Sequence, residues 1–468
     1  LLFEYAESLL GIITNVGRHA SAILVSDRDI FKEIGYVRVR DFDYPVTAWD
    51  MGIVEENSYV KLDILGVKVV EWVNKAVELA NLPRITPQSD AIDFNDWDIR
   101  EDILNNGTAT IFQLEEQEEA TQQMLSPSSI KKIREYNPNI RLVELLSIIT
   151  AVIRPGSDSI KDDVLEGNYH DYGVPEINDL LKDSFGHIIY QEQTIALIQY
   201  AGFSASEADV IRRAISKKNS DTINNWIPQF KETLIDKITT DYPEKNHDDV
   251  ANMVDGLAQI IIDSSHYSFN KSHAITYSYI SMQTAWLRHH YPIEWITAGF
   301  IVWSGGSNLD KIKTLTRLAR SYNISIEPAR FGKSRGEYFF DKELNTIYEG
   351  TAPIKGLNKE VGDFLYTYKN NQYDYFLDFL MDITDPFVIK KAETDEVVYR
   401  GVDTLNLSEE EVKEVDKAIK SGDLVVESLP TTTPNSAQML ALIRLDYFQS
   451  FGGSSYLEEV YQLYKKKY

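Results

Sequence analysis

A lysine and an aspartate two residues apart, in the segment YVKLDILGV, are the first residues whose spacing could support chemistry. The segment has the composition of a β-strand, in which successive side chains point to opposite faces. Lys61 and Asp63 then share one face, about 6–7 Å apart along the strand. The aspartate could bind a metal ion and the lysine a triphosphate. The alternative is a structural ion pair on a sheet surface, the more frequent role of an isolated pair of this kind.

A second cationic group lies in the segment SASEADVIRRAISKK. Ser204 and Glu207 have the spacing of a capping box, which predicts that a helix begins here. Arg213 and Lys217 are four residues apart and would share one helical face, with Arg212 beside them. Like charges at this spacing destabilise an isolated helix slightly, so the pattern favours a site for a polyphosphate anion. An ordinary exposed basic face is the alternative.

The third segment, FNKSHAITYSYISMQTAWLRHHYP, predicts a long helix whose first residues are polar. Asn270 and Lys271 lie at its start, followed by His273 and Tyr277. A helix N-terminus with a lysine can bind phosphate or the backbone of a nucleic acid. A lone histidine is more often a hydrogen-bonded structural residue, so this segment by itself indicates no function.

The composition excludes several classes of site. The 468 residues include no cysteine, so any metal ion must be bound by oxygen or imidazole. The eight histidines are scattered apart from His289 and His290, and no G-x-x-x-x-G-K-[ST] loop occurs. The net charge of −25 argues against nucleic-acid binding unless positive charge is concentrated on one surface. No apolar run approaches the roughly 20 residues needed to cross a bilayer.

The elements that must position these residues change along the chain, which is long enough for roughly three domains of about 150 residues. Apolar and polar residues alternate from 16 to about 70, which predicts strands. From about 70 to 300 the apolar spacing is helical, as in EWVNKAVELANL, and strand-like pieces return between 323 and 350. Residues 386–435 have the lowest hydrophobic density, include an acidic helix candidate, and are interpreted as an insertion or linker. The predicted class is α+β, with several domains.

Nine segments in succession resemble the motifs of one family, the bacterial C-family replicative DNA polymerases, or DNA polymerase III α subunits. They are GRHASAILVS, YPVTAWD with VKLDILGV, TATIFQLEE, AVIRPGS, HIIYQEQ, AGFSASEADVIRRAISKK, FNKSHAITYSYISMQTAWLRHHYP, TAPIKGLNKE and IRLDYFQSFGG. Their order matches that of the family and they span nearly the whole chain. The chain is therefore identified as a divergent member.

The resemblance implies a role for each matched residue. Asp63 corresponds to the third of three catalytic aspartates, which hold two Mg²⁺ ions, and Lys61 to a lysine near the incoming nucleotide. Arg212 and Arg213 correspond to paired arginines that bind its triphosphate. The further nucleotide-binding residues implied are Lys217, Arg154, His273 and Tyr277, and the DNA-binding residues are Asn270, Lys271, Lys355 and Gly356. The implied reaction is template-directed addition of deoxynucleotides to a primer 3′-hydroxyl by two-metal-ion phosphoryl transfer.

The resemblance also implies a fold and an order of domains. The expected fold combines a partial nucleotidyltransferase-type palm sheet, a large helical fingers domain and a small mixed C-terminal region. The expected segments are the end of an upstream thumb-like helix (1–15), the C-terminal part of the palm (16–75), the fingers (76–322), a region contacting duplex DNA (323–385), the insertion or linker (386–435) and a C-terminal helical segment (436–468).

One departure from the family affects the expected activity. The family's first two catalytic aspartates, in a P-D-x-D motif, lie upstream of anything matched here. The D-x-D patterns at 27–29, 41–43 and 96–98 fall where the family has turns or helix starts, and are interpreted as structural. We therefore expect this chain alone to be inactive.

Two other readings remain open from the sequence. One is a catalytically dead paralogue that serves as a DNA-binding or replisome scaffold, and the other is one half of a split polymerase. The expected partners are primer-template DNA, deoxynucleoside triphosphates and a sliding clamp bound through residues beyond 468. The expected location is the cytoplasm, with no membrane association.

Overall fold

The structure is a computed structural model, and it divides the chain into two compact units, residues Leu1–Glu71 and Trp72–Tyr468. The residues that it describes are 2–10, 17–19, 21–39, 42–64, 66–86, 91–153, 157–216, 220–264, 268–304, 308–384, 387–400, 404, 407–428 and 433–467. Helices predominate and the strands form small sheets, so the predicted multi-domain α+β class is confirmed.

The first unit contains two short antiparallel strand pairs, β1 with β4 and β2 with β3. Its elements are α1 (Leu2–Ser8), β1 (Ala22–Val25), α2 (Ile30–Glu33), β2 (Tyr36–Val37), β3 (Val46–Thr47), α3 (Met51–Glu56) and β4 (Val60–Asp63). Val60, Leu62 and Ile64 follow the predicted alternation, but their side chains are 56%, 47% and 64% exposed. They therefore form an apolar surface rather than the core that the pattern suggests.

Helices form most of the second unit, beginning with a helix that crosses the unit boundary. They are α4 (Lys68–Leu79), α5 (Asp98–Asn106), α6 (Glu118–Met124), α7 (Pro127–Tyr136), α8 (Leu142–Val152), α9 (Asp158–Leu165), α10 (Pro175–Leu181), α11 (Gln191–Tyr200), α12 (Ala205–Ser216), α13 (Ser220–Asp241), α14 (His247–Ser264), α15 (Lys271–His290), α16 (Pro292–Trp303) and α17 (Leu309–Ser321). In α4, the predicted apolar spacing buries Trp72, Val73 and Ala76.

Most of the helices from α5 to α15 pack into apolar cores, two of which stand out among the described residues. One joins α5–α9 to α15 and surrounds α8, whose residues are almost all buried. The other core is formed by all the helices from α10 to α14. A helix that is apolar on every side must be enclosed by other helices, so α8 forms the centre of the first core.

A buried ion pair connects α15 to α5. Arg288 is fully buried, and its Nε and Nη2 atoms donate to Asp102 Oδ2 over 2.9 and 2.6 Å. Its Nη1 atom donates to the carbonyl oxygens of Gly107 and Ala109 over 2.9 and 2.8 Å. The Tyr322 hydroxyl donates to the other oxygen of Asp102. The guanidinium therefore has partners for most of its N–H groups, as a buried charge requires.

The remaining elements follow α17. They are β5 (Ser325–Glu327), β6 (Phe339–Asp341), β7 (Thr346–Tyr348), α18 (Lys359–Tyr366), α19 (Phe376–Thr384), β8 (Phe387–Lys391), β9 (Val397–Arg400), α20 (Glu409–Ser421), β10 (Leu424–Ser428), α21 (Ser436–Arg444) and α22 (Ser454–Lys467). β7 pairs in parallel with β5 and antiparallel with β6. The Phe300 ring of α16 stacks on Tyr338 at 4.8 Å, so this sheet is attached to the helices before it.

The segment interpreted as an insertion or linker contains regular structure. β8 lies between β9 and β10 in an antiparallel sheet, and α20 lies against β10. The acidic helix predicted from LSEEEVKEVDKAIKSG is α20, and Ser408 and Glu411 form its capping box. Among the described residues, no helix is both long and apolar enough to cross a membrane.

Replacing Arg288 with methionine should destabilise the second unit by about 3–5 kcal/mol, because Asp102 keeps its buried charge without its cation. Urea unfolding followed by tryptophan fluorescence measures the loss. Arg320→Met, at an exposed position of α17, is the control and should change the free energy of unfolding by less than about 0.5 kcal/mol. Equal losses in the two variants would contradict a stabilising role for the buried pair.

Candidate functional site

The strand pair predicted to carry chemistry lies in the first unit. In the register of β1 with β4, Asp63 is opposite Ala22 and Lys61 is opposite Leu24. Lys61 Nζ donates to Asp63 Oδ2 over 3.0 Å, and the two side chains are 20% and 42% exposed. The predicted adjacency on one strand face is therefore present as a direct ion pair. The carboxylate remains accessible enough to bind a further cation.

His19 lies beside the same carboxylate and was not among the predicted site residues. Its Nδ1 atom accepts the backbone N–H groups of Ala22 and Ser21 over 2.9 and 3.2 Å. A neutral ring in this position carries its proton on Nε2, which lies 3.7 Å from Asp63 Oδ1. The histidine belongs to the GRHA segment matched to the family. Nothing in the sequence near it indicates a contact with Asp63, which lies 44 residues later.

The strand supplies only part of a metal site. Asp63 has the hard oxygen ligand that Mg²⁺ prefers. However, no group of three or more His, Asp or Glu side chains among the described residues is placed to hold a metal ion. Asp29 pairs instead with Lys32 at 3.2 Å and Asp96 with His290 at 2.6 Å. The donor set thus fits one ligand of a divalent ion and not a complete two-metal site.

The two arginines of α12 share one carboxylate. Arg212 Nη2 lies 3.0 Å from Asp209 Oδ1, and Arg213 Nε donates to Asp209 Oδ2 over 2.9 Å. The guanidinium groups of Arg213 and Arg212 hold the pKa of Asp209 below its usual value. The predicted capping box is present, since Glu207 accepts the Ser204 N–H over 2.9 Å. Arg212 and Arg213 therefore lie together, and Asp209 forms an ion pair with each of them.

Gln191, at the start of α11, connects α12 to the residues just before α15. Its side-chain oxygen accepts from Arg212 Nη1 over 3.2 Å, and its side-chain nitrogen donates to the Ser268 carbonyl over 3.2 Å. Its backbone N–H donates to the Phe269 carbonyl over 3.0 Å. The N-termini of α11 and α15 are thus held side by side, next to Arg212.

Glu192 completes this connection. It accepts from Asn270 Nδ2 over 3.0 Å and from the Lys271 N–H over 2.9 Å. Asn270 also caps α15, because its side chain accepts the His273 N–H over 2.8 Å. Lys271 Nζ pairs with Asp183 at 2.8 Å. The structure therefore brings Arg212, Asn270, Lys271 and His273 into one hydrogen-bonded network.

Aromatic rings extend this network along α15. The rings of His273 and Tyr277 stack at 4.1 Å with an angle of 26°. The Phe112 ring lies 5.3 Å from Tyr277, and Phe269 lies edge-on to His273 at 5.2 Å. The Phe112 N–H donates to Thr284 over 3.1 Å, which fixes the loop that carries this ring. Phe112 is a candidate site residue that the sequence did not single out, although it lies in the matched segment TATIFQLEE.

Lys355 and Gly356 lie apart from that network along the chain, in a turn before α18. Both are exposed, and Gly356 has φ +88°, a conformation that favours glycine. Asn358 then caps α18 by accepting the Val361 N–H over 3.1 Å. Arg154 and Lys217, the two other predicted nucleotide ligands, lie outside the described residues.

Comparisons with known proteins match the chain in two adjacent ranges. Residues 1–66 match the model for the bacterial DNA polymerase III alpha NTPase domain, and residues 67–237 match that for the bacterial DNA polymerase III alpha subunit finger domain. Among curated proteins, the chain is 28% identical over 377 residues to the DNA polymerase III subunit alpha of Ureaplasma parvum. The aligned residues cover 77% of this chain and 35% of that protein. It is 27% identical over 414 residues to the DNA polymerase III subunit alpha of Campylobacter jejuni. That alignment covers 86% of this chain and 32% of that protein. The chain spans about a third of the length of these relatives.

Replacing Asp209 with asparagine should strengthen the binding of tripolyphosphate by about 2- to 10-fold, because two partly exposed ion pairs no longer compete with the added anion. Isothermal titration calorimetry measures the affinity. Asp236→Asn, at an exposed position of α13, removes the same charge elsewhere and is the control. An affinity gain no larger than that of the control would show that Asp209 does not compete with anions.

Proposed function

We propose, since this chain belongs to the family of bacterial DNA polymerase III α subunits, that it carries the nucleotide-binding helices and one metal-binding strand of a template-directed DNA polymerase. The observation that carries the proposal is that the carboxylate of β4 and the paired arginines of α12 occur in two adjacent ranges matched to this family. The reaction would add a deoxynucleotide to a primer 3′-hydroxyl and release pyrophosphate.

Asp63 and Lys61 are the proposed catalytic residues of the first unit. Asp63 would supply one carboxylate ligand to the divalent ions, which in this reaction class activate the primer hydroxyl and neutralise the triphosphate. Lys61 would lie near the nucleotide. Its bond to Asp63 keeps the ammonium and the carboxylate on one face of β4. His19 would restrict the rotation of the same carboxylate from its other oxygen.

The cations of the second unit are the proposed triphosphate ligands. Arg212 and Arg213 can each present two N–H groups to phosphate oxygens. In the present arrangement those groups contact Asp209, so nucleotide binding would exchange one anion for another. Arg154 and Lys217 remain proposed ligands on the strength of the family motifs alone.

The start of α15 supports the rest of the proposed substrate site. The stacked rings of His273 and Tyr277 offer an apolar face for the base or the sugar. Asn270 and Lys271 would contact DNA, as would the exposed Lys355 and the glycine turn beside it. Primer-template DNA and deoxynucleoside triphosphates are therefore the proposed ligands.

The family further supports a proposed assignment of the segments and the setting. Residues 16–75 would be the end of the palm, 76–322 the fingers and 323–385 the region that contacts duplex DNA. The proposed setting is the cytoplasm, and a sliding clamp is a proposed partner. A catalytically dead scaffold is the alternative function. It is disfavoured by the presence of Asp63, Lys61, Arg212 and Arg213, which a scaffold would not need.

Asp63→Asn should lower primer extension by the complete gene product roughly 10²–10³-fold, the range expected on loss of one charge-stabilising group. Extension of a labelled primer with Mg²⁺ measures the rate. Asp27→Asn is the control, because the Asp27 side chain is 96% exposed in the same unit. Equal rates for the parent and Asp63→Asn would remove Asp63 from the mechanism. The polypeptide 1–468 by itself should not exceed the Asp63→Asn background.

Arg213→Ala should raise the apparent KM for deoxynucleotides about tenfold or more, because one charge-assisted contact with the triphosphate is lost. Steady-state extension by the same complete gene product at varied nucleotide concentration measures KM, and Arg320→Ala on α17 is the control. An unchanged KM with weaker DNA binding would assign α12 to the template strand instead.

A further inference from the structure

The side-chain amide of Gln191 contacts two separate parts of the second unit through its two polar ends. Its oxygen accepts a hydrogen bond from Arg212 Nη1 over 3.2 Å, and its nitrogen donates one to the Ser268 carbonyl over 3.2 Å. A guanidinium can only donate and a carbonyl can only accept, so the partners fix which end of the amide faces each of them. A carboxylate or an apolar side chain could not satisfy both partners, so the two contacts together require an amide.

Arg212 is held from two sides, by its own helix and by α11. Its Nε and Nη2 atoms donate to Asp209 Oδ1 over 3.2 and 3.0 Å, while Nη1 donates to Gln191. Among the described residues, the guanidinium of Arg213 contacts Asp209 and has no second partner of this kind. The side chains of Arg212 and Arg213 are 22% and 64% exposed, so Arg212 is the more firmly held of the two cations.

The backbone that carries Gln191 is itself fixed. Tyr190 forms a parallel β-bridge with Phe269, and the Gln191 N–H donates to the Phe269 carbonyl over 3.0 Å. The Phe269 N–H donates in turn to the Ile189 carbonyl over 2.9 Å. The hydroxyl of the buried Tyr190 lies 3.1 Å from that of Ser147 on α8. The amide of Gln191 therefore reaches Arg212 from a backbone position that other elements hold in place.

The carboxylate and the amide that contact Arg212 respond differently to an incoming anion. In the proposed function a triphosphate replaces Asp209, because the two anions compete for the same N–H groups. The amide of Gln191 has no net charge, so its contact with Nη1 does not oppose the anion. A guanidinium that is already held at one nitrogen loses less rotamer entropy when phosphate binds its other N–H groups. Gln191 can therefore keep Arg212 in place while Asp209 is displaced.

We propose that Gln191 is a positioning residue, which holds the Arg212 guanidinium ready for the triphosphate of the incoming nucleotide. The inference rests on the proposed function, in which Arg212 binds the triphosphate, and it adds a residue that acts through this arginine. The contact with Ser268 extends the same coupling to the chain that leads into His273 and Tyr277 on α15.

The test is steady-state primer extension by the complete gene product at varied deoxynucleotide concentration. Gln191→Met keeps a side chain of similar length and removes both hydrogen bonds of the amide, so the apparent KM should rise about 3- to 10-fold. The value of kcat should stay within about 2-fold of that of the parent, because no contact with the reacting atoms is lost. Gln199→Met, at an exposed position of the same helix, is the control and should change KM by less than about 2-fold.

A double-mutant cycle separates positioning from a merely structural role. Arg212→Ala should raise KM about tenfold or more, because a charge-assisted contact with the triphosphate is lost. Adding Gln191→Met to Arg212→Ala should raise KM further by less than about 2-fold, because the amide then has no guanidinium to hold. Effects of the two replacements that multiply would overturn the proposal, since a structural residue keeps its effect when Arg212 is absent.

A carboxylate at position 191 tests the same contact through its charge. Gln191→Glu keeps an acceptor for Arg212 but adds an anion beside the guanidinium, so KM should rise at least as much as in Gln191→Met. Gln199→Glu adds the same charge to the same helix and is the control. Thermal unfolding of each variant verifies that it is folded, and Gln191→Glu tests the site if Gln191→Met is not. A Gln191→Glu variant with the KM of its control would overturn the proposal.

The outcomes distinguish a failure of the inference from a failure of the proposed function. A parent that does not extend primers, or an Arg212→Ala variant with the KM of the parent, would reject the proposed role of Arg212 and the inference together. A raised KM in Arg212→Ala, with an unchanged KM in Gln191→Met, would reject the inference alone.

Discussion

The burial of Arg288 constrains much of the second unit. A guanidinium removed from water must find carboxylate and carbonyl partners, and Asp102, Gly107 and Ala109 supply them. The carbonyl groups of the loop after α5 must therefore face α15. Trp295 of α16 donates its indole N–H to Thr110 over 3.0 Å, which also holds the loop after α5 in place. The ring of Phe112, carried by this loop, consequently lies against Tyr277, so a charge in the interior positions an aromatic surface at the candidate site.

The candidate site itself contains cations that already have anionic partners. Asp209 contacts both arginines of α12, and Asp183 contacts Lys271. Pairs at such partly exposed positions contribute little free energy, so a phosphate can replace a carboxylate at small cost. The carboxylates also keep the cations in defined positions before a ligand arrives. An acidic net charge is therefore compatible with phosphate binding, because what matters is whether a phosphate can replace the carboxylate that pairs with each cation.

Local patterns predicted the elements better than they predicted the contacts between them. The apolar spacing of α4, the capping box of α12 and the adjacency of Lys61 and Asp63 all follow from neighbours in sequence. The sharing of Asp209 by Arg212 and Arg213 was not predicted, because helical spacing shows charges but not the rotamers that pair them.

Long-range contacts had no local signal. Gln191 reaches Ser268, and His19 approaches Asp63, only after folding. Helical spacing is predicted for the whole range from about 70 to 300, yet α11 begins only at Gln191, because Tyr190 forms a β-bridge with Phe269. The strands of the sheet that contains β8 were missed because the segment around them has a low hydrophobic density, and several of the strand valines are exposed. The catalytic and binding roles of the site residues stay predictions.

The chain segment that forms β8, β9, β10 and α20 starts and ends beside the same apolar core. Phe379 of α19 and Leu442 of α21 are both fully buried in that core, one before and one after this segment. The Thr433 hydroxyl donates to the Ile383 carbonyl over 3.2 Å, so the points of departure and return are adjacent. Closing a longer or shorter loop between adjacent points changes the entropy only slowly with length. A change in the length of this segment should therefore disturb the packing of α19 against α21 little, because the two ends already meet.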